Sequence, residues 1–79
     1  MLEEQSLLIE DIDTSNFIQK VVEESKVKPV IVDFWAPWCN PCKQLTPVLE
    51  KTIIQMNGKV KLVKIDIDKN QNLAQQMRI

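Results

Sequence analysis

The run Val30-Ile31-Val32-Asp33-Phe34-Trp35 limits what this chain can fold into more than any other feature. Apart from Asp33 it is apolar on both faces of a two-residue period, the pattern of a central strand covered by helices on each side. Around it, short apolar runs alternate with amphipathic stretches, which implies βαβ units on a parallel sheet. A first strand is expected over 7–12. Asp13, Thr14 and Ser15 offer N-caps for a helix reaching about residue 25, with Phe17, Ile18, Val21 and Val22 as its apolar stripe. Lys28-Pro29 ends that helix and leads into the strand. A second helix is expected to start near Asn40 or Pro41, since proline is well tolerated in a first turn. It carries Leu45, Leu49, Ile53 and Met56 on one stripe, is kinked by Pro47 and stops before Gly58. A strand over 60–67 and a helix over about 70–77 complete a β-α-β-α-β-α order with right-handed crossovers. The fold class is α/β with a parallel sheet core.

With 79 residues the chain is one domain at most. A chain this short buries only about three-fifths of its unfolded surface, so marginal stability is expected. Hydrophobic residues at 44% and charged residues at 27% are ordinary for a soluble globular protein and unlike a disordered one. The net charge of −1 and scattered lysines provide no basic surface or tail for nucleic acid. No segment reaches the roughly 18 apolar residues of a membrane span. The acidic start Met1-Leu2-Glu3-Glu4 is unlike a secretory signal, so the expected compartment is the cytoplasm.

That expectation bears on Cys39 and Cys42, because cytosolic pools keep thiols reduced and structural disulfides are rare there. Closing so short a loop would stabilise by only roughly 2 kcal/mol, against nearly 5 for a loop of about 100 residues. Structural zinc wants four ligands, and the chain has no histidine and no third cysteine, so a metal site would have to be shared between two chains. No metal is expected. Redox chemistry is the reading that remains. Cys39 precedes the expected helix and Cys42 lies about one turn along it, so their sulfurs can approach closely enough to bond. At the helix start, unpaired N–H groups and the macrodipole favour thiolate over thiol. Pro41 fixes the backbone between them and removes an N–H that lacks a helical partner anyway. Cys39 is then the exposed nucleophile, and Cys42 the more buried thiol that resolves a mixed disulfide.

The block Val32-Asp33-Phe34-Trp35-Ala36-Pro37-Trp38-Cys39-Asn40-Pro41-Cys42-Lys43, followed by Pro47, resembles the active-site signature of the thioredoxin family. Lys64-Ile65-Asp66-Ile67-Asp68 and the helix after it resemble the family's next strand and helix. The resemblance implies a thioredoxin-like fold and reduction of disulfide-bearing protein substrates. It also implies recharging by a thioredoxin reductase or similar electron donor. The redox group is the Cys39–Cys42 disulfide, with no other cofactor expected. Asn40 stands where the family usually has glycine. The family's cis-proline loop would fall just after Ile79, so residues 1–79 are expected to be the N-terminal portion of a truncated domain. A sheet ending there would also leave an apolar strand as an open edge.

By the same resemblance, Asp33 is expected beneath the resolving Cys42, assisting its proton transfer, with Lys64 beside it as an electrostatic modulator. A buried carboxylate is costly unless paired, which singles out Asp33 independently. Trp38 is expected in an apolar lip around Cys39, Trp35 packed beneath it, and Pro47 setting the helix kink. Lys43 is expected to be a solvated charge. A second resemblance is to thioredoxin domains that begin a bacterial co-chaperone with tetratricopeptide repeats, carried by Lys43-Gln44-Leu45-Thr46-Pro47-Val48-Leu49-Glu50 and Val63-Lys64-Ile65-Asp66-Ile67-Asp68. It implies binding and protection of chaperone clients. A strong oxidant is not expected, since oxidising relatives tend to place histidine between the cysteines.

Overall fold

The structure is a computed structural model that describes residues 8–79; Leu7 of the expected first strand and the acidic start lie outside them. Three strands, β1 (Ile9–Asp11), β2 (Val30–Trp35) and β3 (Lys61–Asp66), form a parallel sheet in the order β1-β3-β2. The register sets Asp11 and Asp33 on either side of Lys64, and Trp35 opposite Asp66. Among the described residues β3 lies between β1 and β2. Ile31, on β2, is partly open to solvent.

The two faces of the sheet separate cleanly. On one, Ile12, Val63, Ile65 and Leu73 form a buried cluster with Phe17, Val21, Val30, Val32 and Phe34 packed against it. On the other, Ile53, Val60 and Leu62 are buried with Leu8, Ile9 and Leu49 around them. The alternation of β2 puts Ile31, Asp33 and Trp35 on the second face, the face that a long helix covers.

That helix is α1 (Asn40–Gln55), and a short α2 (Gln71–Gln76) packs on the opposite face through Leu73 and Ala74. Beyond α1, Asn57 and Gly58 take φ of 55° and 81°, the left-handed conformation that stops a helix. The polypeptide between β1 and β2 is helical but is not the single α-helix expected. A tight 3-10 turn (Thr14–Asn16), wide π turns (Ile18–Glu23) and a second tight turn (Glu24–Lys26) follow one another. A stripe drawn at 3.6 residues per turn does not survive such changes of pitch. Phe17 and Val21 reach the core, whereas Ile18 is 64% exposed and Val22 also faces out.

Two polar devices hold this arm. Asn70 is buried, and its Oδ1 accepts from the Thr14 N–H at 2.8 Å and the Thr14 hydroxyl at 2.9 Å. Its Nδ2 donates to the Asp66 carbonyl at 2.9 Å, so all of its polar ends are used. Lys61 is buried on the same side and pairs with Glu10 at 2.8 Å and Glu24 at 3.5 Å, while Lys20 reaches Glu10 at 3.3 Å. Burial pushes Glu10 upward, but the Lys61 and Lys20 ammonium groups outweigh it and hold the carboxyl below its ordinary range.

Candidate active site

The tail of β2 delivers the chain to the start of α1 through Ala36, which is fully buried, and Pro37. The Cys39 N–H donates to the Ala36 carbonyl at 3.1 Å, which folds the connection back so that Cys39 becomes the N-cap of α1. Its backbone is extended, and its Sγ accepts the Cys42 N–H at 3.2 Å. Sulfur here occupies the place that a serine or aspartate oxygen takes in an ordinary cap. Cys39 and Cys42 form a disulfide, with their Cα atoms 5.3 Å apart. Asn40 and Pro41 occupy the first two helical positions and are exposed. Pro41 has no N–H to leave unpaired in the first turn. The two cysteines are both half-buried in this bonded state. What separates them is position: Cys39 sits at the helix end, Cys42 one turn inside.

Cys42 lines a depression of about 280 Å³ together with Trp35, Lys43, Thr46, Pro47, Asp11 and Lys64. Asp33 lies below, 6% exposed, with the Thr46 hydroxyl donating to its Oδ2 at 2.7 Å. Lys64 sits opposite Asp33 in the sheet register, yet its Nζ reaches Glu50 at 2.8 Å and Asp11 at 3.8 Å instead. Burial lowers the Lys64 ammonium, but its hydrogen bond to Glu50 and the charges of Asp11, Glu50 and Asp33 raise it above its usual value. Direct pairing of Lys64 with Asp33 is thus absent among the described residues; Asp33 acts on Lys64 through its field alone.

Thr46 and Glu50 were not legible as site residues in the sequence. The stripe that meets the sheet runs through Cys42, Thr46, Leu49 and Ile53, not through Leu45 and Met56, which are largely exposed. A purely apolar template missed it because two sheet residues beneath the helix, Asp33 and Lys64, are themselves polar and call for polar partners. The usable signal was the four-residue step from Cys42 to Thr46 to Glu50, which places all three on one side of a helix.

Trp38 is 66% exposed beside the cysteines, and its indole N–H is shared between the two carboxylate oxygens of Asp68 at 3.1 Å each. Trp35 is half-buried in the floor, and its Nε1 is the buried side-chain polar atom without a partner among the described residues. Pro47 sits within α1 and leaves the Lys43 carbonyl without its usual donor. Lys43 is exposed. Among the described residues no group of three or more histidine, cysteine or carboxylate side chains is placed to hold a metal ion. No helix among them is long and apolar enough to cross a membrane.

A family model described as Thioredoxin matches residues 9–79. A thioredoxin of Rickettsia felis is 46% identical over 66 residues, covering 84% of this chain and 62% of that protein. A thioredoxin of Bacillus subtilis is 50% identical over 56 residues, covering 71% of this chain and 54% of that one. In structure the chain is similar to a chloroplastic thioredoxin z, with a TM-score of 0.81 and 39% identity over 90% of this chain and 61% of that one. The chain thus spans between half and two-thirds of the length of these relatives.

Proposed function

The chain belongs to the thioredoxin family, and from that premise we propose that it is a thiol–disulfide oxidoreductase that reduces disulfides in protein substrates. The observation that carries this is the Cys39 sulfur at the N-terminus of α1, accepting the Cys42 N–H while bonded to Cys42. A negative sulfur at that place gains from the amide donor and from the helix macrodipole, so the reduced pair is poised to attack.

The Cys39 thiolate attacks one sulfur of a substrate disulfide, the substrate S–S bond breaks, and its electron pair leaves on the other substrate sulfur. Cys42 then loses its proton and attacks Cys39, which expels the second substrate thiolate and closes the Cys39–Cys42 bond. Two electrons pass to the substrate and two thiols become one disulfide. Asp33 takes the Cys42 proton in this reading, supported by its burial below the face on which Cys42 lies. Lys64 tunes it at a distance, and exposed Trp38 presents the apolar lip against which a substrate chain rests. A thioredoxin reductase or similar donor returns the two electrons, so the cystine itself is the redox group and no further cofactor is needed. The setting is the cytoplasm, in keeping with the reducing direction. Redox-linked protection of chaperone clients is the lesser reading, since the curated relatives are named as thioredoxins.

The direct test is trapping. With Cys42→Ser, a disulfide-bearing protein such as insulin is expected to remain covalently attached to Cys39, visible as an adduct by mass spectrometry; with Cys39→Ser no adduct forms. An adduct that forms equally well on either single variant would end the assignment of roles.

A further inference from the structure

We propose that Thr46 is a positioning residue for the second half of this reaction, fixing the Asp33 carboxylate so that one oxygen stays free to take the Cys42 proton. The proposal rests on the oxidoreductase reading above and assigns it a residue. Two threonines lie in α1, and they use their hydroxyls differently. Thr52 donates to the Val48 carbonyl four residues back, at 2.8 Å, the usual habit of threonine inside a helix. Thr46 instead donates across to Asp33 Oδ2 at 2.7 Å, a well-formed hydroxyl bond between helix and sheet.

Nothing else described holds that carboxylate. Asp33 Oδ1 has no hydrogen-bond donor among the described residues, and the cation opposite it, Lys64, is engaged by Glu50 and Asp11. Thr46 also lines the depression that Cys42 lines, one helical turn further along the same side. Its side chain is branched at Cβ, which restricts χ1 and makes it a stiff support. Lys64 of β3 lies opposite Asp33 in the register, Glu50 of α1 binds Lys64, and Asp11, Cys42 and Lys43 line the depression that Thr46 lines. Among these elements Thr46 supplies the direct contact.

In the step concerned, the Cys42 S–H proton passes to Asp33 and the Cys42 sulfur bonds to Cys39. The Cys39–substrate bond breaks, and the departing substrate thiolate is protonated from water. A carboxylate left to turn freely would offer its oxygen in the wrong direction for part of the time.

The test follows reduced protein reacting with an aryl disulfide that releases thionitrobenzoate. The first release reports attack by Cys39, and the second, independent of concentration, reports resolution by Cys42. In Thr46→Val the second release is expected to slow about tenfold near neutral pH, a part of the roughly 10²–10⁴ that a positioned proton acceptor contributes. The first release should stay within about twofold. Thr46→Ser should restore the second release, and in an Asp33→Asn background Thr46→Val should add nothing. Thr46→Ala reads the same step if valine packs poorly. A second release that is unchanged in both Thr46 variants, or slowed just as much in the Asp33→Asn background, overturns the proposal while leaving the oxidoreductase reading intact. A wild-type protein that releases no second equivalent overturns both.

Discussion

Ile53 and Ile54 are neighbours in α1, yet the first is fully buried between helix and sheet while the second is 39% exposed. Replacing each with alanine should separate packing from every other effect of the substitution. Ile53→Ala removes three carbons from a cluster that also holds Val60 and Leu62. At roughly 0.8 kcal/mol per buried CH₂ the transfer term is about 2.4 kcal/mol, and an unfilled cavity takes the loss toward the 2–5 kcal/mol found for such changes. A domain of this size has a total stability of about 4–12 kcal/mol, so the loss is about a fifth of it or more. Ile54→Ala gives up less burial and gains a few tenths of a kcal/mol in helix propensity, leaving it within about 1 kcal/mol of wild type. Urea unfolding followed by fluorescence of Trp35 and Trp38 measures both. A midpoint lowered for Ile53→Ala at unchanged slope, with Ile54→Ala near wild type, is the expected pattern. Equal losses in the two variants would show that α1 is not seated on the sheet as described.

The ion pairs make predictions in pH. Glu10 titrates below its ordinary value of 4.5 in the fold, so its contribution is complete above the unfolded value and lost as pH falls through the lowered one; Lys61→Met should flatten that acid limb of an unfolding-midpoint series. Lys64 is raised above 10.5, so its contribution holds below the unfolded value and is lost as pH rises through the folded one; Glu50→Gln should reduce the alkaline loss. Acid or alkaline limbs that do not respond to these substitutions would show that the charges are solvated rather than coupled.

The strands and the redox pair were legible for different reasons. Residues 30–35 announced a strand through composition alone, and Asp33 stood out because a carboxylate has no cheap place in such a run. The Cys39–Cys42 spacing, set after a strand and before a helix, placed both sulfurs at the helix start without any tertiary knowledge. Neighbour order was not legible, since alternation of side chains constrains faces and is silent on which strand lies beside which. The arm over 14–26 departs from the expected single helix because Ile18 and Val22 match a 3.6-residue stripe that its actual pitch does not follow. Thr46 and Glu50 escaped notice because their meaning depends on Asp33 and Lys64, residues 13 and 14 positions away across a fold that had first to be built.

Asn70 carries a kinetic implication. It stands 56 residues from Thr14 and ties that residue to the end of β3, and the Thr14 groups and the Asp66 carbonyl that it joins belong to segments that cannot meet until β3 has joined the sheet. The arm is therefore expected to be seated last during folding, because closing so long a loop is compensated only once its distant partner is in place. By the same reasoning it should be the first part to come loose on heating, with the strand and helix that hold the two sulfurs still assembled.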